Sequence, residues 1–167
     1  MRLADFNHER LWLACTSLRM ARVCAEDAYN YACKRETFGK KLIENQVIRA
    51  KIQGFGQRLE PLHAYMEQLV AMVNVAKSED ENQALFLGGQ IANLKVGAGQ
   101  ALEYVNREAQ QIMGGLGYAR TGMGERIEQI SRDLRVMVVG GGSEEILKEL
   151  VVNQERLALQ LKHPAKL

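Results

Sequence analysis

Residues 11–32 read LWLACTSLRMARVCAEDAYNYA. Within them Leu11, Ala14, Leu18, Ala21, Ala25, Ala28 and Ala32 recur at intervals of three and four, which lines them up along one stripe of a helix. Small residues in that stripe let a second backbone come close, so the stretch predicts the seam of a helical bundle. The first helix is expected from about Asn7 to Thr37, with Gly39 placed to stop it. A second pattern runs through Ile48, Ile52, Phe55, Leu59, Leu62, Leu69 and Val73, and Pro61 within it predicts a kink or a split. Ser78 followed by Glu81 has the form of a capping box, which predicts a third helix starting near Glu79. Its core face would be Leu87, Ile91, Leu94, Ala98, Ala101, Val105, Ala109 and Ile112, with Gly114-Gly115-Leu116-Gly117-Tyr118 ending it and loop to Gly124. A shorter helix would carry Ile127, Ile130, Leu134 and Val138. After Gly140-Gly141-Gly142, Ser143 would cap a last helix with Glu144 and Glu145 in its first turn and a frayed tail from Gln160. The expected fold class is all-α: an up-down antiparallel helical bundle of three long helices plus two shorter C-terminal helices.

Composition agrees. Two prolines, and glycines that cluster late, leave the first hundred residues without the turn signals a β-rich domain needs. The 22 basic and 20 acidic residues nearly cancel, so there is no basic stripe for nucleic acid and no polybasic patch for anionic lipid. No segment has the ~18 continuous apolar residues of a membrane span. Three cysteines form no disulfide framework, and the odd number points to reduced thiols in an intracellular setting, whether cytoplasmic, mitochondrial or peroxisomal.

Several candidate sites dissolve on their spacing. Cys15, Cys24 and Cys33 lie nine apart, so neighbours face opposite sides of a helix and read as packing residues. Glu60-Pro61-Leu62-His63 has the Glu-x-x-His spacing of di-metal bundles, but neither His8 nor His163 supplies a second copy. The glycine runs fail the dinucleotide and P-loop fingerprints, and each reads first as a helix end and turn. Their neighbours add a second reading. Gln111 stands just before Gly114 and Gly115, where a bare backbone lets a ligand close in, and Ser143 opens a helix whose amides favour an anion.

Arg35-Glu36-Thr37-Phe38-Gly39, then Gln46, then Gln111 through Tyr118, then Arg132-Asp133-Leu134-Arg135, then Gly141-Gly142-Ser143-Glu144-Glu145-Ile146 occur in an order that resembles the C-terminal helical domain of the acyl-CoA dehydrogenase family. The resemblance covers essentially the whole chain. It implies one domain over residues 1–167, with the family's N-terminal helical and middle β domains lying outside it. It further implies FAD as cofactor and an acyl-CoA as substrate. An electron acceptor such as electron-transfer flavoprotein, and a homodimer or homotetramer, follow from the same resemblance. By position, Arg35 would meet the FAD pyrophosphate of a neighbouring subunit, with Thr37 and Phe38 beside the adenosine half. Asn45 and Gln46 match a further FAD-contacting pair. Gln111 and Gly115 match a glutamine and a close-approach glycine at the same cofactor, while Ser143 with Glu145 matches a flavin-touching segment and Gly142 the glycine beside the thioester.

One position departs from the pattern. Most members carry the catalytic Glu nine residues after the arginine of Arg-Asp, and here that position is Gly141. A minority, similar to isovaleryl- and long-chain acyl-CoA dehydrogenases, carry it on the first long helix just before an arginine. Asn7-His8-Glu9-Arg10 fits that pattern, making Glu9 the candidate base and Arg10 its substrate-side neighbour; the alternative is an ordinary first-turn Glu favoured by the helix dipole. The implied reaction is α,β-dehydrogenation of an acyl thioester. A flavin oxidase of the same fold, acting on an acyl-CoA or a nitroalkane, and a non-catalytic helical assembly domain are the competing readings. The isolated chain is expected to be inactive.

Overall fold

The computed structural model describes residues 3–79 and 87–162. They form five helices: α1 (Leu3–Lys34), α2 (Gln46–Glu79), α3 (Gly88–Met113), α4 (Glu125–Val139) and α5 (Glu144–Lys162). A two-residue hairpin, β1 (Glu36–Thr37) paired antiparallel with β2 (Lys40–Lys41), sits between α1 and α2.

The alanine stripe is the centre of the core. Ala14, Ala21, Ala28 and Ala32 are completely buried with Leu18, and the faces opposite them are Ile91, Leu94, Ala98, Leu102, Val105 and Ala109 of α3. Phe55, Leu59 and Leu69 of α2 and Ile127 and Ile130 of α4 close the same cluster. Burying one such Leu or Ile side chain contributes about 1.5–3 kcal/mol, so this seam outweighs any surface pair in the domain.

Cross-helix contacts give the directions. Arg22 of α1 meets Glu60 of α2 at 3.0 Å, and Tyr65 of α2 donates its hydroxyl to the Gln90 carbonyl of α3 at 3.3 Å. Asn106 of α3 donates to the Ile127 carbonyl at 2.9 Å at the start of α4, whereas Lys95, eleven residues earlier, reaches Val138 near the end of α4. The first four helices therefore run up, down, up and down. Gln100 donates to Glu144 at 2.6 Å, while Gln154 lies against Gly88 and Gly89, so α5 continues in the direction of α4 along an earlier part of α3.

Several local expectations change. α1 is helical from Leu3 and ends at Lys34, and Gly39 closes a hairpin instead of a helix: Phe38 and Gly39 have φ of 53° and 74°. These left-handed values in both central positions suit the two-residue turn of a twisted hairpin. Pro61 does not split α2; its ring is exposed and the helix continues through it. Ser78 and Glu79 are in α2, and the next described helix is α3 from Gly88; Glu81 and the rest of 80–86, where a helix starting near Glu79 would begin, lie outside the described residues. α5 is helical to Lys162, and the rest of the tail expected to fray, 163–167, lies outside the described residues. The run after α3 is also more ordered than a loop, with 3-10 turns at Gly114–Tyr118 and Gly122–Gly124.

Candidate functional site

The candidate residues gather at two ends of the bundle. At one end, α1 presents Phe6, Asn7, Glu9 and Arg10. Arg10 is fixed from three sides: its Nε donates to the Gly141 carbonyl at 2.9 Å, its second nitrogen to Asn7 Oδ1 at 3.4 Å, and its guanidinium lies 5.6 Å from the centre of the Phe6 ring. Partial burial pulls its pKa down, and the carboxylate of Glu9 opposes that shift. Glu9 itself is exposed. Because α1 begins at Leu3, Glu9 lies beyond the first turn, where the attraction of a helix N-terminus for a carboxylate has faded, and the first-turn explanation for this residue loses its basis.

The turn facing Arg10 is made of Gly140, Gly141 and Gly142. Gly141 and Gly142 have φ of 67° and 119°, and a Cβ at Gly141 would stand 3.1 Å from Leu13 Cδ1 and 3.2 Å from Arg10 Cγ. Gly141, where the resemblance puts the base of most members, thus has a left-handed backbone and space in which a Cβ would crowd Leu13 and Arg10. Ser143 follows, its carbonyl accepting the Leu147 amide at 3.0 Å as α5 begins. Glu144 is engaged by Lys148 and by Gln100, which hold its carboxyl below the usual carboxylate range, and Glu145 is exposed.

Beneath this turn is a residue the sequence reading passed over. Lys95 is 2% exposed, and its ammonium donates to the Val138 carbonyl and, at 2.9 Å, to that of Gly142. The signal was present: with Ile91, Leu94 and Ala98, position 95 completes the core spacing of α3, and a lysine there must find acceptors inside. Asn106 and Glu108 are further buried polar residues of α3. Asn106 bridges the Ile127 carbonyl and Cys24 Sγ, and Glu108 takes Lys51 of α2 and, at 2.7 Å, its neighbour Arg107.

The other end carries the hairpin. Arg35 is exposed directly after α1, with Lys34, Lys40 and Lys41 near it in sequence; Lys41 is paired with Glu36. Phe38 stands at the tip, 106% exposed. Thr37 is half-buried; Asn45 accepts the Val47 amide at 2.9 Å at the start of α2, and Gln46 is exposed beside it. Gln111 lies exposed in the last turn of α3. A Cβ at Gly114 or Gly115 would meet nothing within 4 Å, so this backbone is open to whatever approaches it. Gly117 and Gly124 differ: a Cβ at Gly117 would stand 2.8 Å from the Gln110 backbone, and one at Gly124 would overlap the Leu116 carbonyl.

Other candidates have structural partners. Glu60 pairs with Arg22 and His63 with Glu67 at 3.3 Å; among the described residues no group of three or more His, Cys, Asp or Glu could hold a metal. Cys24 is buried and its thiol is pushed up to about 11 by burial, while Cys15 and Cys33 are half-buried. None of the described helices is long and apolar enough to cross a membrane.

The family profile "Acyl-CoA dehydrogenase, C-terminal domain" matches residues 2–155. The chain belongs to the acyl-CoA dehydrogenase family. Acyl-CoA dehydrogenase AFT10-1 of Alternaria alternata is 47% identical over 156 residues, which are 93% of this chain and 36% of that protein. Acyl-CoA dehydrogenase apdG of Emericella nidulans is 37% identical over 155 residues, 92% and 35% of the two chains. The crystal structure of a probable acyl CoA dehydrogenase from Mycobacterium abscessus superposes with a TM-score of 0.78 at 31% identity, over 90% of this chain and 37% of that one. This acyl-CoA dehydrogenase C-terminal domain therefore spans about a third of the length of the curated relatives it matches.

The hairpin end of the domain fits a dinucleotide cofactor such as FAD. Arg35 offers an always-charged planar fork for a pyrophosphate, and Gly114 and Gly115 leave open backbone. The two candidate groups are nevertheless far apart: Arg10 and Lys34, at opposite ends of α1, are separated by about 36 Å at 1.5 Å per residue. Arg35, Thr37, Phe38, Asn45 and Gln46 thus follow the C-terminal end of α1, Gln111 and Gly115 lie at the end of α3, and Gly142, Ser143 and Glu145 lie beside the turn that Arg10 meets.

Proposed function

We propose that this domain is the C-terminal part of an FAD-dependent acyl-CoA dehydrogenase in which Glu9 removes the α-proton of an acyl-CoA thioester. The observation that carries this reading is the hydrogen bond from Arg10, the neighbour of Glu9 in sequence, to the carbonyl of Gly141, the position where the resemblance puts the usual base. Flavin, when bound, supplies the hydride acceptor for the β-carbon. A solvated carboxylate is a weak base for an α-proton, so a bound acyl chain has to exclude water from Glu9. Arg10 holds the corner in register, and Gly142 is the glycine beside the thioester, followed by Ser143. Arg35, Gln111 and the open backbone of Gly114 and Gly115 hold a cofactor at the far end.

The separation of the two groups supports a homo-oligomer, in which the hairpin end of one copy completes the cofactor site of another. An external acceptor such as electron-transfer flavoprotein, in a reducing intracellular compartment, completes the cycle.

The test is Glu9→Gln in the flavoenzyme containing this domain. Flavin bleaching by acyl-CoA is expected to slow by about a hundredfold or more, the scale of a lost general base. Bleaching at the wild-type rate, with flavin content unchanged, would remove Glu9 as the base.

A further inference from the structure

We propose that Lys95 is a positioning residue for the thioester-facing turn: its ammonium ties the carbonyls of Val138 and Gly142 and so fixes residues 140–142 against Arg10. The proposal rests on the reading of that corner as the thioester site. Its geometry comes from α3, an element to which no site residue of that corner belongs.

A turn of three glycines has almost no stiffness of its own, since Gly loses more conformational freedom on ordering than any other residue. Here two cations hold it. Arg10 takes the Gly141 carbonyl from the α1 side, and Lys95 takes Gly142 and Val138 from the α3 side. Val138 is in the last turn of α4, whose terminal carbonyls carry partial negative charge, so a cation beneath them is favoured. The ammonium is fully enclosed, and replacing it by an apolar side chain would strand buried carbonyls. Burial pulls its pKa down, the charge of Arg10 adds to that, and Glu144 opposes it. Packing alone would be served by leucine at this position; the turn needs the donors.

Lys95→Met keeps the length and volume of the side chain and removes the donors. In the variant, hydrogen exchange at the amides of residues 140–147 is expected to accelerate by about tenfold or more, with α1 and the middle of α3 changed by far less. In the flavoenzyme, kcat should fall by about tenfold or more while KM and flavin content stay within about twofold, because misplacement of a positioned group costs rate before binding. Lys95→Ala should regain slow exchange with added butylammonium and not with butanol. Unchanged exchange in a folded Lys95→Met variant overturns the proposal, as does equal rescue by the alcohol. Should both variants fail to fold, NMR of the wild-type chain decides: slowly exchanging Lys95 ammonium protons coupled to the Val138 and Gly142 carbonyl carbons support it, and exchange at the rate of free lysine overturns it. Neither exchange measurement involves turnover, so a failure of Glu9 as base would show separately.

Discussion

Arg10 and Gly141, 131 positions apart in sequence, are joined by a 2.9 Å hydrogen bond from the guanidinium Nε to the glycine carbonyl. The bond closes the N-terminal part of α1 onto the end of α4, and the left-handed backbone of Gly141 is what turns that carbonyl toward Arg10. Gly141→Ala is expected to destabilise the domain by about 1–2 kcal/mol, from the left-handed φ and from crowding of Leu13 and Arg10. Urea unfolding of the two proteins measures it, and equal midpoints would show that the turn relaxes freely.

The glycines after α3 should divide by what surrounds them. Gly124→Ala forces a methyl into the Leu116 carbonyl and should cost about 1–3 kcal/mol or prevent folding. Gly115→Ala meets nothing within 4 Å and should leave the melting temperature of the domain nearly unchanged, while weakening flavin retention in the whole enzyme. Thermal melts of the domain, set beside flavin release from the enzyme, separate the two roles. A large loss of domain stability in Gly115→Ala would contradict the assignment.

Phe38 combines a φ of 53° with complete exposure, a conformation that costs an L-residue energy at a place where its ring buries nothing within this chain. Phe38→Asn gives the hairpin the Asn-Gly pair its turn favours. The isolated domain should become more stable by about 0.5–1 kcal/mol, whereas cofactor retention in the assembled enzyme should weaken. A stability loss in the isolated domain would mean that the ring contributes locally after all.

Cys24 sets a prediction in alkaline solution. Its folded pKa, raised to about 11 by burial, exceeds the ordinary value of 9.0, so between these values the folded state holds a proton that the unfolded state has released. The resulting stabilisation is full below pH 9 and is lost as pH rises toward 11, by about 2–3 kcal/mol for a shift of this size. Comparing urea unfolding of Cys24→Ala with the wild type at pH 8 and pH 10.5 isolates it. The fall with pH should be smaller in the variant, and parallel curves would count against the burial of the thiol.

Much of this fold could be read directly from residue spacing. The stripe from Leu11 to Ala32, the core face of α3 and the short amphipathic run of α4 are periodic, and periodicity reports which side of a helix is buried. Helix ends were less legible. Ser78 and Glu81 carry a capping signal, yet Ser78 lies in the last turn of α2, because a continuing apolar face outweighs one local cap. Pro61 does not split α2: its exposed ring removes one hydrogen bond without costing the packing of Phe55, Leu59 and Leu69.

The candidate site divides along a similar line. Motif order named Glu9, Arg35 and Gln111 together with the absence of a carboxylate at Gly141, since these are facts of residue identity. That Arg10 clasps Gly141 and that Lys95 pins the same turn from α3 are consequences of how the helices pack. They depend on contacts between residues up to 131 positions apart, and local sequence does not encode such distances. The sequence determined the helices, their buried faces and the family. Only the tertiary structure decided which carbonyls the buried cations reach, because a three-glycine turn has no preferred shape until its neighbours hold it.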